Sequence, residues 1–169
     1  VGSLAEALIT DAEVVRPYLV AGSGELGNAF GALNAAFWAD GAFVQVPAGV
    51  NVEEPIQLLF LTTLREAPHA EHPRSLIVLG RDSRLTLVET YIGLRASAYL
   101  TKPVTEAALE AGADPDHYRM TLEGREAVHV GQTRVREQRD SRFASCTVAF
   151  GGRLVRNQVG GVLDAEGAE

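Results

Sequence analysis

Two near-identical turns, each followed by a strand-like run, recur in this chain of 169 residues. The first begins at Asp82 and the second at Asp140, and each reads Asp-Ser-Arg before an apolar residue. A third cluster of turn residues lies at residue 111, midway between Asp82 and Asp140. The same half-distance counted back from Asp82 reaches a turn cluster at Glu53, and counted forward from Asp140 it reaches one at Glu169. The half-distance corresponds to a period of about 29 residues. A turn-then-strand unit that recurs in this way is typical of a solenoid, in which each unit buries its apolar face by stacking on its neighbours.

The hydrophobic pattern changes from helical to strand-like near residue 40. Ser3, followed three residues later by Glu6, predicts a helix start, and further helices are predicted over residues 12–19 and 25–37, with a loop over 21–24. Short strands separated by turns follow, which indicates an all-β architecture. They are predicted over residues 42–46, 56–62, 76–79, 85–92, 99–109, 117–122, 128–136, 142–150 and 154–163, with a polar loop over 67–74. We therefore expect a helical N-terminal segment over 1–38 and a partial β-helix core over 39–169.

The bulk properties of the chain limit its partners. The net charge is −7 and the pI is about 5.1, which argues against a nucleic-acid binder because phosphate contacts need a basic face. No apolar run approaches the roughly 20 residues that span a bilayer, so no membrane partner is expected. The single cysteine excludes an internal disulfide and favours a reducing compartment, so a cytoplasmic location is expected. The chain starts at Val1 without a methionine and stops at Glu169 in a turn, which predicts a fragment of a longer protein.

Cys146 is the first candidate for iron or sulfur chemistry, because thiolates are the preferred ligands of iron–sulfur clusters. Strand alternation, however, places Ala144, Cys146, Val148 and Phe150 on one apolar face. A small thiol in a strand core is the commoner arrangement, and one cysteine alone does not hold a cluster. We therefore expect a structural role for Cys146.

The histidines give no predicted metal site. His69 and His72 are spaced as His-x-x-His, but a site needs at least a third ligand and a rigid frame, and these two fall in the predicted polar loop, where solvated side chains are expected. His117 alternates with Arg119 on one strand face and is expected to be exposed. His129 is flanked by valines and is either an internal, hydrogen-bonded histidine or a surface one.

Arginines and aspartates are concentrated in strands and turns of the second half. The arginines indicate either a partner or anion surface or solvated strand faces paired locally with Glu137 and Asp140, and the second interpretation is favoured. These arginines are Arg134, Arg136, Arg139, Arg142, Arg153 and Arg156. Turn aspartates in a stacked repeat could form a row of ligands, but aspartate at turns chiefly caps the backbone. These aspartates are Asp82, Asp114, Asp116, Asp140 and Asp164.

Known catalytic signatures are missing from the sequence. It contains no Walker motif, no nucleophile elbow and no Rossmann glycine fingerprint. No catalytic, cofactor-binding or metal-binding residue is therefore predicted, and the chain is not expected to be an enzyme.

Several short stretches, in this order along the chain, resemble the SufB/SufD core family of iron–sulfur cluster assembly scaffolds. They are LNAAFWADGAFV at 33–44, VPAGV at 46–50, EPI at 54–56, DHY at 116–118, RDSRF at 139–143, GGRLVRN at 151–157 and LDAEG at 163–167. The resemblance covers about residues 3–169. The stretches at 54–56 and 151–157 look more like SufD than SufB.

The resemblance implies a right-handed parallel β-helix behind a helical segment, and a SufD-like scaffold that acts in a complex with SufB and the ATPase SufC. An iron–sulfur cluster would be the product of that complex, and no cofactor is expected to be bound by this chain itself. The helices that dock SufC in the family, and a functional histidine of SufD, match nothing here. We therefore expect the chain to end about midway through the β-helix and to form homodimers through its β-edges.

Two other classes of β-helix protein remain as alternatives. A carbohydrate-binding or polysaccharide-cleaving protein would need clustered carboxylates and aromatic platforms, whereas the acidic residues here are scattered and Trp38 is the single tryptophan. A purely structural solenoid of a surface protein fits less well with the helical start and the order of the motifs.

Overall fold

The computed structural model shows a β-solenoid of about four turns behind an N-terminal helical segment. It describes residues 1–25, 29–63, 68–94 and 97–169, without the side chains of 20–25. The helices are α1 (Leu4–Thr10), α2 (Ala12–Glu25) and α3 (Ala29–Phe37). The strands are β1 (Gly2–Ser3), β2 (Ala42–Val46), β3 (Ile56–Thr62), β4 (His69–Glu71), β5 (Arg74–Leu79), β6 (Arg84–Gly93), β7 (Tyr99–Thr101), β8 (Val104–Leu109), β9 (Asp114–Leu122), β10 (Val128–Glu137), β11 (Ala144–Ala149) and β12 (Leu154–Leu163).

The strands form two sheets that stack coil on coil. The first sheet runs β1-β2-β5-β8-β10, with β12 also paired to β10 and with β7 and β4 joined at the β10 end. The second sheet runs β3-β6-β9-β11. Among the described strands, β1 and β2 pair antiparallel and all other pairs are parallel. The predicted parallel solenoid is therefore confirmed.

The repeat is real, but its length changes along the chain. One interior column of the first sheet contains Val44, Ile77, Ala107, Val135 and Gly161. The distance along the chain between neighbouring members falls at every step, so the step from Val44 to Ile77 is the longest and the step from Val135 to Gly161 is the shortest. The predicted period is thus close to the average of a spacing that shortens from coil to coil.

A ladder of left-handed turn residues holds the coils in register. Its members are Gly49, Asp82, Gly112, Asp140 and Gly167, all with φ between 54° and 77°. The backbone N–H of each of the first four members donates a hydrogen bond of 2.7–3.1 Å to the coil above it. The acceptor is the carbonyl oxygen of the residue just before the next member. The ladder begins at Gly49 and not at the predicted Glu53, because the first coil is longer than the predicted period. Two extra residues between the Asn51–Arg84 bridge and the Ile56–Leu87 pair then change the register of β3 against β6.

Aspartate and glycine alternate along this turn ladder for a steric reason. A Cβ atom on Gly112 would collide with Asp82 Oδ1, and a Cβ atom on Gly167 would collide with Asp140 Oδ1. An aspartate in one turn therefore leaves room only for glycine in the next one. This alternation explains why the most visible sequence repeat spans two coils.

The N-terminal helices cover the outer face of the first sheet. Leu4 of α1 and Val15 of α2 pack against Leu76 and Val78 of β5 in a small second core. Each of these side chains is at most 5% exposed. Burial of apolar surface contributes roughly 25 cal/mol per Å² to stability. The packing of these apolar side chains therefore holds the helical segment on the solenoid.

The helical segment differs from its prediction in two ways. The predicted loop at 21–24 is wrong, because α2 continues to Glu25; glycine costs a helix about 1 kcal/mol but keeps its N–H. Part of the predicted third helix, including Leu26, lies outside the described residues. Within α3 the periodic residues Phe30 and Phe37 are 41% and 64% exposed, and Gly31 and Asn34 are buried instead.

Two predicted features of the core are also corrected. The stretch predicted as a loop at 67–74 contains β4 and the start of β5, with residue 67 outside the described part. The single strand predicted at 99–109 is split into β7 and β8, because Pro103 has no N–H to continue the ladder. Asn34 of α3 satisfies the backbone at this break, since its Nδ2 donates to the carbonyl oxygens of Pro73 at 3.0 Å and Lys102 at 2.8 Å.

Replacing Gly112 by alanine is expected to lower the free energy of unfolding by about 2 kcal/mol, because the residue is left-handed and its new Cβ meets Asp82. Adding Asp82→Gly to this variant should recover the part of the loss that comes from the collision. Gly160→Ala is the matched control, since no atom lies within 4 Å of its Cβ position. Urea unfolding would contradict this account if the two alanine variants lost the same stability.

Candidate functional site

The interior of the solenoid is apolar near the turn ladder and polar farther along each coil. Along β6 the inward side chains change from Leu85 and Leu87 to Glu89 and Tyr91. Register places Arg119 beside Glu89 in the next coil. Charged side chains therefore stack inside the protein, where each must find a partner to offset the loss of water.

Glu89 is the centre of the first polar cluster and is fully buried. Its Oε2 accepts hydrogen bonds from Arg119 Nε at 2.9 Å and Nη2 at 2.6 Å, and its Oε1 accepts one from Thr105 at 2.6 Å. His117 Nε2 lies 3.3 Å from Oε2, and His117 Nδ1 lies 3.0 Å from Ser145 Oγ. Burial opposes ionisation of Glu89, but Arg119 and His117 outweigh it and hold the pKa of this carboxyl well below its usual range.

A second polar cluster lies beside the first and is centred on His129. His129 is fully buried, its Nδ1 lies 3.3 Å from Glu123 Oε2, and its ring meets Tyr91 edge-on with centroids 5.0 Å apart. Burial raises the pKa of Tyr91 well above its usual value, so the phenol stays neutral. Of the two positions that the sequence leaves open for His129, the structure shows the internal one.

Gly131 keeps a polar space open between the two clusters. A Cβ atom there would collide with Asn157 Oδ1 and lie 2.9 Å from both Arg119 Nη1 and His129 Nε2. The Asn157 oxygen and both ring nitrogens of His129 make no hydrogen bond with the protein. Buried polar atoms of this kind are commonly satisfied by ordered water. This corner of the interior therefore suits small polar species.

The predicted exposure of His117 is wrong, and the reason is general for this strand. His117 is 3% and Arg119 1% exposed, whereas their neighbour Tyr118 is 42% exposed. Alternation separates the two faces of the strand. Polar side chains usually face solvent, but here they face the interior, because charges from neighbouring coils pair there. The signal that could have found the pair is the spacing of Glu89 and Arg119, which is close to the repeat length and so puts both residues in one column.

The predicted core position of Cys146 is also wrong, because its thiol is exposed on the outer face of the second sheet. It stacks in one column with Tyr118 and Val88. The apolar residues that alternate along β11 thus mark an exposed outer face, which continues to Val148 and Phe150 at 39% and 68% exposure.

His69 and His72 are not solvated loop residues. His69 belongs to β4, its side chain is 10% exposed, and its ring stacks on Tyr99 with centroids 5.7 Å apart. His72 packs against Phe37 at 5.7 Å, and burial, followed by the charge of Lys102, lowers its pKa. Within the described part of the chain, no group of three or more His, Cys, Asp or Glu side chains is arranged to hold a metal ion.

Three of the six arginines that make up the basic density of the second half pair with aspartates. The pairs are Arg136–Asp164 at 3.3 Å, Arg139–Asp140 at 3.1 Å and Arg142–Asp114 at 2.6 Å. These contacts fit the solvated-face interpretation. Glu137, expected from the sequence to pair locally, is instead 4% exposed, and burial raises its pKa. The alternative of an aligned aspartate row is wrong, because Asp82 and Asp140 lie two coils apart with Gly112 between them.

Replacing Arg119 by methionine should cost about 3–5 kcal/mol at pH 7, because Glu89 would keep a buried charge without its main partner. The sign of the pH dependence should also reverse. In the wild type the contribution of Glu89 is complete above its unfolded pKa of about 4.3 and is lost as the pH falls below that value. In the variant His117 and Thr105 remain beside Glu89, but its main partner is gone. Burial should then outweigh them and raise the folded pKa, so stability should rise as the pH falls from 7 to 5.

Urea unfolding at pH 7 and pH 5 measures both effects. Arg142→Met is the matched control, since this arginine pairs with Asp114 while 49% exposed, and loss of a solvent-screened pair should cost far less than loss of the buried one. Equal losses for the two variants, or an unchanged pH slope in Arg119→Met, would contradict the assignment of the buried pair.

Cys146→Ala should leave iron binding unchanged after anaerobic reconstitution and desalting, because a single exposed thiol offers one ligand where a cluster needs several. Iron and sulfide are measured per chain for the wild type and the variant. Stoichiometric iron in the wild type that disappears in the variant would contradict the prediction.

Comparison with known proteins matches the chain to two adjoining family regions. Residues 1–58 match the SufBD protein N-terminal region, and residues 60–169 match the SufBD core domain of SUF system FeS cluster assembly. No helix among the described residues is long and apolar enough to cross a membrane.

Several curated proteins are similar to this chain. An iron-sulfur cluster assembly SufBD family protein of Synechocystis sp. is 28% identical over 77% of this chain and 30% of its own length. Protein ABCI7, chloroplastic, of Arabidopsis thaliana is 28% identical over 82% of this chain and 30% of its own length. SufB of Bacillus subtilis is 35% identical over 49% of this chain and 17% of its own length. The chain thus spans about a third or less of these relatives, and the match of its core and N-terminal regions shows that it belongs to the SufB/SufD family of iron–sulfur cluster assembly proteins.

Proposed function

We propose that this chain is part of a non-catalytic, SufD-like scaffold subunit of the SUF system, which works in the cytoplasm with a SufB-like subunit and a SufC-like ATPase. The observation that carries the proposal is the match of two family regions, in order, to a helical segment and a parallel solenoid. The preference for SufD over SufB rests on the stretches at 54–56 and 151–157. The iron–sulfur cluster enters this proposal as the product of the complex.

The architecture suits a scaffold that transmits force. Interstrand hydrogen bonds run across every coil of both sheets, and the Glu89–Arg119 pair joins two coils inside the solenoid. A structure of this kind resists stretching along its axis, because many backbone hydrogen bonds would have to break together. Motion applied by an ATPase at one place would therefore reach a distant subunit with little loss.

The polysaccharide alternative receives no support from the placement of the acidic residues. Glu89 and Glu123, the acids of the polar interior, are at most 5% exposed. Asp114 and Asp164 pair with arginines on strand surfaces. Glycoside cleavage needs two carboxyl groups that flank an accessible bond, and these residues are buried or already paired.

Disruption of the gene should lower the activity of iron–sulfur enzymes in the cell, because their clusters would no longer be assembled by this route. A metabolic enzyme without a cluster serves as the internal reference. Reintroduction of the wild-type gene, or of the Gly160→Ala variant, should restore the lost activity. Unchanged iron–sulfur enzyme activity in the disrupted strain, with no second assembly system present, would contradict the proposed function.

We further propose that the isolated chain forms homodimers through exposed β-edges. β12 pairs with β10 on one side, and its Val159, Val162 and Leu163 are 40–59% exposed. A free edge with apolar side chains pairs readily with another chain.

Val159→Lys should shift the chain toward monomer, because a charge beside an edge opposes pairing. Ile9→Lys makes the same chemical change at an exposed position of α1 and should leave the association state unchanged. Light scattering after size-exclusion chromatography measures the mass of each species. A wild-type monomer at high concentration, or equal effects of the two variants, would contradict edge pairing.

A further inference from the structure

Lys102 is an enclosed cation that the scaffold function does not use. It lies between β7 and β8 and is fully buried. Its Nζ makes no hydrogen bond with the protein and lies 5.5 Å from the centre of the Phe30 ring. Burial lowers the pKa of Lys102 to about 8. An ammonium group in this position has lost its water without gaining an anion, which is a costly arrangement.

Arg156 brings a second cation to the same place. Its guanidinium carbon lies 6.0 Å from the centre of the same Phe30 ring. Arg156 of β12 pairs with Val130 of β10. The preceding residue of β10, His129, pairs with Thr101 of β7, which is the chain neighbour of Lys102. Lys102 and Arg156 therefore flank one aromatic ring from two coils of the first sheet.

The space between these groups is small, and two of the side chains that line it, Phe30 and Arg156, are exposed to solvent on their outer side. Its lining includes Phe30, Lys102, Gln132 and Arg156, and its volume is ≈ 10 Å³, about that of a single water-sized probe. A space of this size favours a single-atom ion over a multi-atom oxyanion.

Among the residues that the structure describes, the acidic groups near Lys102 are engaged with other side chains, and Glu71 of β4 lies 3.7 Å from His69. On the same face Glu106 is already bonded to Arg74, at 2.8 and 3.0 Å. Burial, and after it the charge of Lys102, lowers the pKa of the neighbouring His72, while Glu71 acts in the opposite direction. The charge balance of the site therefore calls for an anion.

We propose that a monatomic anion of chloride or bromide size binds between Lys102 and Arg156 beneath the Phe30 ring. The anion accepts a hydrogen bond from Lys102 Nζ and offsets one of the two positive charges, while the exposed Arg156 guanidinium keeps part of its hydration. Because Phe30 belongs to α3, the bound anion also ties the N-terminal helices to β7, β8 and β12. Docking of α3 thus depends on the halide concentration.

Bromide is the probe, because its anomalous scattering identifies it in crystals of the full chain. We expect an anomalous peak within hydrogen-bond distance of Lys102 Nζ in the wild type and in Arg153→Gln, a control that removes another exposed arginine of the same region. Arg156→Gln, an exposed substitution without risk to folding, should weaken bromide binding on the order of tenfold. Lys102→Met should abolish the peak.

A measurement in solution completes the test. Sodium bromide should raise the melting temperature of the wild type above its value in sodium gluconate of equal ionic strength, and should have no such effect on Lys102→Met. The proposal would be overturned by a wild-type crystal without bromide at Lys102, or by an anomalous peak that persists in Lys102→Met. It would also be overturned if bromide affected the wild type, Lys102→Met and Arg156→Gln equally.

Discussion

The hydrogen bonds between left-handed turn residues, from Gly49 to Gly167, set the register on which every column of side chains depends. A parallel ladder repeats one residue above another at a strand spacing of about 4.8 Å. Once the turns are fixed, Glu89 must lie beside Arg119, and Val44 must lie beside Ile77. Both the apolar core and the buried charges are therefore consequences of turn geometry. An insertion within a strand would shift these contacts together, whereas an insertion at a corner would leave them intact.

The polar interior shows how a solenoid accommodates buried charge. In a parallel stack a carboxylate and a guanidinium that occupy neighbouring rungs meet without any long-range folding search. The surrounding hydroxyls of Thr105 and Ser145 complete the network. Such pairs contribute little net stability against a well-packed apolar core, but removal of one partner is costly. They therefore act as a specificity element, since a coil shifted by one rung would leave two charges unpaired.

The repeat, the helix-to-strand change and the solenoid could be predicted from the residues themselves, because turn residues and strand lengths are local properties. The parallel pairing of the strands was implied by the family resemblance. The direction of the side chains could not be predicted in the same way. Alternation in the strand that contains His117 and in the one that contains Cys146 defines two faces, but which face is internal depends on partners one coil away. Rules based on hydrophobicity assign the polar face to solvent and therefore misplace both residues. Pro103 signals the break that the prediction of one strand over 99–109 missed, whereas the support of this break by Asn34 depends on how α3 docks.

The shortening of the coils along the chain makes the first and the last of these coils unlike in girth. Most of the difference arises at one corner, where the chain returns from the second sheet to the first. This return is longest in the first coil, from Leu58 to Glu71, and shortest in the last, from Thr147 to Val155. Head-to-tail stacking of two copies would set the long corner of one on the short corner of the other, and their backbones would diverge there. The corners have equal lengths only when the same coil of each copy lies at the contact. A taper of this kind permits a closed pair with twofold symmetry and opposes the open-ended fibre that a solenoid of constant girth would form.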